Sequence, residues 1–107
     1  MNTFNEWAKA IHDNAVDHGW WDDPRSFGEI IALCHSELSE ALEADRADEQ
    51  FIWYAEGGKP EGVAVELIDC IIRILDYCGE EGIDVDKIMR IKHEYNKTRP
   101  YKHGKRY

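Results

Sequence analysis

The chain lacks the run of about twenty apolar residues that a transmembrane helix needs, and no basic-then-apolar leader stands at its N-terminus. Bases are also scarce, because 13 Lys and Arg face 22 Asp and Glu, which gives a net charge of −9. An acidic surface repels a phosphate backbone, which argues against a general nucleic-acid-binding protein. These absences predict a cytoplasmic protein with neither a membrane partner nor a nucleic-acid partner.

Paired metal-binding motifs are missing as well. The three cysteines, Cys34, Cys70 and Cys78, form no CxxC pair and lie in apolar helical patterns. We therefore predict reduced, buried thiols and neither a zinc site nor a disulfide framework. No Glu-x-x-His occurs in the chain, which disfavours the di-iron carboxylate bundles that use this motif.

The length of 107 residues predicts a single domain, 1–107, with one modest core. Its charge is unevenly spread, because the segment from Lys87 to Tyr107 carries eight bases and one acid, Glu94. We predict that residues from about 100 to 107 form a mobile basic tail. Such a tail suits a polyphosphate site, and it is equally typical of a solubilising segment or of one that binds nucleic acid or an acidic partner.

Capping signals and apolar spacing predict four helices and no strand. Two capping boxes, Thr3 to Glu6 and Ser26 to Glu29, open the first two helices. The predicted boundaries are Phe4 to about Gly19, Ser26 to about Ala47, Pro60 to Gly79, and Asp84 to Pro100. The predicted fold is an all-α, antiparallel four-helix bundle. Because the third helix is apolar over much of its circumference, we expect a homodimer or homotetramer to complete the bundle.

Two acid pairs stand out in the second and third helices, in HSELSEALEADR and ELIDCIIRILDY. Residues three apart share one helix face, so two packed helices would bring together Glu37, Glu40, Glu66 and Asp69. Clustered carboxylates repel one another unless a cation neutralises them. An all-oxygen set favours Mg²⁺, with Mn²⁺ as a substitute.

The position of Glu37 strengthens this reading. At 100° per residue, Glu37 falls inside an apolar arc, between Leu33 and Ile30. A carboxylate there costs several kcal/mol unless something pairs with it. For Glu66 and Asp69 the alternative stays open that they form the exposed stripe of a nearly buried helix.

The motifs together resemble the MazG-like, all-α nucleoside triphosphate pyrophosphohydrolases. The resemblance is carried by Glu37-x-x-Glu40, then 25 residues, then Glu66-x-x-Asp69, followed by the ending KHEYNKTRPYKHGKRY. It covers roughly Gly19 to the C-terminus. Membership would imply Mg²⁺-dependent hydrolysis of a nucleoside triphosphate to the monophosphate and pyrophosphate.

Residue roles follow from the same resemblance. The four acids would be the catalytic metal ligands, and Lys92, Asn96 and Arg99 match an end motif that helps hold the phosphates or the sugar. These three residues also share one helix face by their spacing, and the alternative is an exposed polar stripe. Ser36 stands where some relatives carry an additional acid.

Aromatic residues in the loops beside the acid helices are candidates for stacking on a nucleobase. They are Trp20, Trp21, Trp53 and Tyr54. The alternative is that they anchor the core or a dimer interface. Two other functions also stay open: a non-catalytic helical interaction module, and a hydrolase of another pyrophosphate-containing substrate.

Overall fold

The computed structural model describes residues 2–106, apart from the side chains at 103 and 104. The chain is mostly helical, with α1 at Phe4–Asp17, α2 at Phe27–Arg46, α3 at Val63–Glu81 and α4 at Val85–Lys97. Two short strands, β1 at Trp53–Tyr54 and β2 at Pro60–Glu61, lie between α2 and α3. The predicted mobile tail, about 100–107, lies partly outside the described residues; a short 3-10 helix spans Tyr101–Gly104.

The predicted helix starts are confirmed for α1, α2 and α4. Thr3 Oγ1 accepts the Glu6 backbone N–H at 3.1 Å, and Glu6 Oε1 accepts the Thr3 N–H at 2.9 Å. Ser26 caps α2 by accepting the Glu29 N–H at 3.1 Å, and Asp84 caps α4 through its side chain. These bonds satisfy backbone donors that the first turn of a helix leaves without partners.

The predictions of no strand and of a third helix starting at Pro60 are wrong. Tyr54 pairs with Pro60, and Trp53 pairs with Glu61, in an antiparallel hairpin. The turn between them contains Gly57 and Gly58, both at φ +86°, a backbone conformation that glycine adopts without strain. The hairpin therefore uses the residues that would have formed the first turn of the helix.

The start of α3 is capped by backbone instead of a side chain. The Val63 and Ala64 N–H groups donate to the carbonyls of Gln50 and Phe51 at 3.2 and 2.9 Å. A Cβ on Gly62 would lie 2.6 Å from both carbonyl oxygens, so only glycine lets the chain pass there. These bonds return the chain beside the end of α2, which makes α2 and α3 antiparallel neighbours as predicted.

Gly79 does not close α3 as predicted, because the helix continues to Glu81 and Gly82 ends it at φ +65°. Gly79 instead lies where α1 approaches α3. A Cβ at this position would be 2.6 Å from His12 Cβ and 2.9 Å from the Ala8 carbonyl oxygen. The glycine is therefore a packing residue between two helices.

We expect Gly79→Ala to destabilise the fold by about 2 kcal/mol, because overpacking outweighs the better helix propensity of alanine. Urea unfolding followed by circular dichroism measures this. Gly28→Ala is the matched control, since its Cβ would meet only Ser26 Oγ, at 3.9 Å, and should be neutral or slightly stabilising. Equal stability of the two variants would contradict the packing role.

α3 is the central helix, with α1 and α2 packed on it, whereas α4 has its main helix contact with α1. The N-termini of α1 and α4 cap each other. Asn5 Oδ1 accepts the Val85 N–H at 2.8 Å, and the Asp86 carboxylate accepts the N–H groups of Phe4 and Asn5 at 3.1 and 3.2 Å. The fourth helix is thus fixed at one end and does not close a bundle within one chain.

The small core leaves much apolar surface exposed. Among residues 2–106 no large side chain is completely buried, and the radius of gyration is 16.5 Å against about 13 Å for a compact chain of this length. Exposed apolar side chains on α2 and α3 include Ile31, Leu38, Leu42, Leu67, Ile68, Ile71 and Ile74. Patches of this kind mark interaction surfaces.

Two further predictions concern cysteine and membranes. All three thiols are free, as predicted; Cys34 and Cys70 are buried, while Cys78 is only half-buried. Burial raises the pKa of the Cys34 and Cys78 thiols, which disfavours the reactive thiolate. Within the described residues, no helix has the length and apolar character needed to cross a bilayer.

Candidate metal centre

Three of the four predicted acids meet where α2 faces α3. One carboxylate oxygen from each of Glu37, Glu40 and Glu66 lies within 4.8 Å of the others. Glu37 is only 6% exposed, which confirms its predicted place inside the apolar face; Glu66 is half-buried and Glu40 is exposed. The arrangement joins acids from two helices that are separated by a hairpin.

Small residues explain why the two helices come close at this point. Cys34 and Ala41, one turn before and after Glu37, are buried, and Cys70 is buried on α3. Their short side chains allow the backbones to approach, so a glutamate between them reaches the opposite helix. The same packing that forms the core therefore directs Glu37 at Glu66.

Asp69 lies one turn after Glu66 and is not among the three acids that meet within 4.8 Å. It does line the same cleft as Glu37. Burial raises the pKa of the Asp69 carboxyl, and the charge of Glu37 adds to the effect. Asp69 therefore lies at the edge of the cluster, close enough to feel its charge.

The carboxylates of the cluster repel one another, and this repulsion favours a protonated Glu66. Burial, followed by the hydrogen bond and charge of Glu40, raises the pKa of Glu66 to about 7. One cationic partner is present on α3, where Arg73 Nε donates to Glu37 Oε1 at 2.8 Å. A divalent cation would replace the proton on Glu66 and relieve the repulsion among the acids.

Stability should therefore depend on pH with a defined sign. Without metal, the raised pKa makes the folded protein bind this proton more tightly than the unfolded chain. The resulting stabilisation is complete below the ordinary pKa of 4.5 and is lost as the pH rises through about 7. We expect the melting temperature in EDTA to fall from about pH 5 to about pH 8, relative to Glu66→Gln.

Differential scanning fluorimetry of both proteins across this range measures the difference. Saturating Mg²⁺ should remove the fall in the original protein, because the ion favours the ionised carboxylates. If the melting temperature of the original protein in EDTA instead rises with pH relative to that of Glu66→Gln, the cluster does not hold this proton.

The predicted phosphate-binding residues lie on or just after α4, away from these contacts. In the described part of the chain, no hydrogen bond or ion pair joins Lys92, Asn96 or Arg99 to the four acids. Instead, Lys92 Nζ and the Arg99 guanidinium carbon lie 5.3 and 5.8 Å from the centre of the Tyr95 ring. Their phosphate-binding role stays a prediction.

The four aromatic residues predicted to stack on a base lie in different surroundings. Trp20 is 64% exposed and lines the cleft beside Glu37. The Trp21 indole N–H donates to Asp76 at 2.9 Å, which makes it a structural anchor. Of this pair, Trp20 is the better placed to stack on a ligand.

The other two aromatic residues belong to the hairpin. The Trp53 indole N–H donates to Glu49 Oε1 at 2.8 Å, so this ring holds β1 to the end of α2. Tyr54 is 67% exposed on the same strand. Neither lines the cleft beside Glu37, and their stacking role stays a prediction.

Sequence reasoning missed a polar network around Asp76, which is 8% exposed. His12 Nδ1 lies 2.7 Å from one carboxylate oxygen, and Arg25 lies 3.9 Å from the other. The Trp21 indole N–H also donates to Asp76, and His12 Nε2 lies 2.9 Å from a carboxylate oxygen of Glu80. The available signal was the stripe that Asp76 shares with Asp69 and the arginine between them, although spacing alone does not reveal which members are buried.

A cleft of about 320 Å³ opens beside the cluster, between α1 and α2 and over α3. Its lining includes Asn14, Trp20, Arg25, Glu37, Asp69 and Arg73. A second cleft, of about 380 Å³, lies on the other side and is lined by Glu40, Glu43, Glu49, Glu61 and Glu66 together with two alanines. The acid cluster thus separates a cleft that contains arginines from one whose charged lining residues are all acidic.

Comparison of the chain with protein-family models, curated proteins and solved structures found no match. The MazG-like resemblance therefore stays a prediction from the motifs.

Proposed function

We propose that this protein is a Mg²⁺-dependent nucleoside triphosphate pyrophosphohydrolase of the MazG-like type. It converts a ribo- or deoxyribonucleoside triphosphate and water to the monophosphate and pyrophosphate. The observation that carries this proposal is the meeting of three carboxylates from two helices within 4.8 Å. A soluble, cytoplasmic setting is part of the same proposal, since nucleoside triphosphates are found there.

The residues present fit a magnesium ion. The donor set contains only oxygen, which Mg²⁺ prefers, and the ion usually keeps several waters besides one or two carboxylates. The ligands would come from Glu37, Glu40, Glu66 and Asp69. When bound, Mg²⁺ or Mn²⁺ supplies charge neutralisation of the phosphates and a more acidic water.

The remaining work falls to the chain itself. We assign to Glu40, the exposed member of the cluster, the role of accepting the proton of the water that attacks the α-phosphorus. The bond from that phosphorus to the bridging oxygen then breaks, and pyrophosphate leaves. Trp20, exposed beside the cleft, offers its ring to the base, and stacking of this kind tolerates any base.

A homodimer or homotetramer is proposed on the exposed apolar side chains of α2 and α3 described above. Burying such a surface favours association. In such an assembly α4, which its own chain holds mainly through α1, can approach the acids of a neighbouring copy. Lys92 and Arg99 could then reach the phosphates.

The second function that an observation favours is a non-catalytic interaction module. The same exposed apolar residues support it, because large apolar patches mark binding surfaces. It differs from the enzyme by predicting that Mg²⁺ leaves the melting temperature unchanged. A third variant keeps the metal centre but acts on another pyrophosphate-containing molecule.

Product analysis separates these possibilities. The purified protein is incubated with each ribo- and deoxyribonucleoside triphosphate, with Mg²⁺ or with EDTA, and the products are resolved by ion-exchange chromatography. Monophosphate and pyrophosphate formed only with Mg²⁺ support the proposal and identify the preferred base. Diphosphate and orthophosphate would contradict the proposed bond, and no turnover with no effect of Mg²⁺ on melting would favour the interaction module.

A further inference from the structure

Arg73 occupies a position between the acid cluster and the arginine-containing cleft. It lies on α3 one turn after Asp69, and its side chain is 35% exposed. Its Nε donates to Glu37 at 2.8 Å, while the residue also lines the cleft. One guanidinium therefore contacts a metal-ligand candidate and the space beside it.

The bond to Glu37 uses only part of this guanidinium. An arginine side chain has five N–H donors in a planar fork, and Nε provides one of them. In the described part of the chain, no hydrogen bond or ion pair occupies the terminal nitrogens of Arg73. The group is thus held in one orientation with four donors still available.

The charges of the two clefts decide from which side a polyphosphate would approach. The arginine-containing cleft is lined by Arg25 and Arg73 together with three acids, Glu37, Asp69 and Asp76, whereas every charged lining residue of the second cleft is a glutamate. A triphosphate carries several negative charges and is repelled by an all-acid wall. Arg25 is already paired with Asp76, at 3.9 Å, which leaves Arg73 as the arginine nearest the carboxylates.

We propose that Arg73 binds the phosphates of the substrate, and that Glu37 holds its guanidinium in place through Nε so that the terminal nitrogens face the cleft. This inference rests on the proposed function, since the ligand is a nucleoside triphosphate. It places a phosphate-binding cation on α3, the helix that carries Glu66 and Asp69 of the same chain, in addition to the residues of α4.

Glu37 can bind Arg73 and a cation at the same time. A carboxylate has two oxygens and can accept several bonds, so Oε1 can keep Arg73 while Oε2 serves a cation. A guanidinium matches two phosphate oxygens at once, whereas an ammonium acts as a point charge. Lysine at position 73 could therefore contact Glu37 or the phosphate, but not both in the same way.

The test compares binding of three probes to the wild type and to Arg73→Gln by isothermal titration calorimetry. The probes are Mg²⁺ alone, inorganic triphosphate with Mg²⁺, and the α,β-methylene analogue of the preferred nucleotide with Mg²⁺. We expect both triphosphates to bind roughly 10- to 100-fold more weakly, because a charged hydrogen-bond partner is lost. Mg²⁺ alone should bind at least as tightly, because a nearby positive charge has been removed.

Two other variants complete the comparison. Arg73→Lys should weaken the binding of both triphosphates by roughly three- to tenfold. If circular dichroism shows that Arg73→Gln does not fold, the lysine variant alone tests the inference. Arg46→Gln is the matched control, since Arg46 is exposed on α2 and pairs only with Glu43 among the described residues. It should bind all three probes as the wild type does.

The results separate the inference from the proposed function. If the wild type hydrolyses a nucleotide but the Arg73 variants bind both triphosphates unchanged, the Arg73 inference fails and the function stands. If the Arg73 variants lose as much affinity for Mg²⁺ alone as for the triphosphates, Arg73 only supports Glu37 and the inference fails again. A wild type that neither binds nor hydrolyses any triphosphate overturns both.

Discussion

Glu37→Gln is expected to lower Mg²⁺-dependent nucleotide hydrolysis on the order of a thousandfold. The reason is that Glu37 is the buried member of the acid cluster and contributes its charge where water cannot screen it. The same variant should lose the rise in melting temperature that Mg²⁺ gives the original protein. Pyrophosphate release and scanning fluorimetry measure the two effects.

The fold should survive this change, since the amide oxygen of glutamine can still accept the bond from Arg73. Relief of charge repulsion favours the folded state without metal, so Mg²⁺ dependence is the decisive quantity. Asp45→Asn, an exposed acid on the same helix, is the matched control and should keep both activity and the Mg²⁺ effect. A Glu37→Gln protein that still melts higher with Mg²⁺ would mean that the ion binds elsewhere.

Asp76→Ala is expected to have the largest effect on stability, a loss of about 3–5 kcal/mol. The change removes the buried acceptor for the Trp21 indole N–H and one of the two carboxylates that His12 contacts, the other being Glu80. The Trp21 N–H then stays partly buried without an acceptor, and Arg25 loses its buried counter-charge. For a domain of this size the loss should lower the melting temperature by at least about 10 °C, measured by calorimetry.

Two controls define the cause of this loss. Asp76→Asn keeps one oxygen acceptor in the same place, so it should retain part of the stability that alanine loses. Asp13→Ala removes an exposed acid from α1 that pairs only with Lys9 among the described residues and should cost less than about 1 kcal/mol. An Asp76→Ala protein that melts within a few degrees of the wild type would contradict the network as an anchor.

Local signals were sufficient to predict that there are four helices, where three of them start, and that Glu37 is buried. A capping box is read within four residues, so Thr3 and Glu6 identify the start of α1 without any knowledge of the fold. The helical period alone places Glu37 inside an apolar face, and the structure confirms its burial. Predictions of this kind succeed because a single helix determines them.

Features that depend on two distant segments could not be predicted in the same way. Pro60 suits the first turn of a helix. It lies instead in β2, which pairs with β1 across the glycine-containing turn, and α3 begins only at Val63. Glycine is typical of helix ends, but Gly79 lies inside α3, where His12 of α1 packs against it. The bond of Arg73 to Glu37 likewise exists only once α2 lies against α3.

The clamp that Asn5 and Asp86 form between the two helix N-termini has a geometric consequence. α4 contains 13 residues, so it extends about 20 Å from this point at 1.5 Å per residue. A rotation of about 20° at the clamp would displace its far end by about 7 Å, more than a full helical turn of 5.4 Å. A few hydrogen bonds between the N-termini of α1 and α4 therefore set the direction of α4, and with it the positions of Asn96 and Arg99.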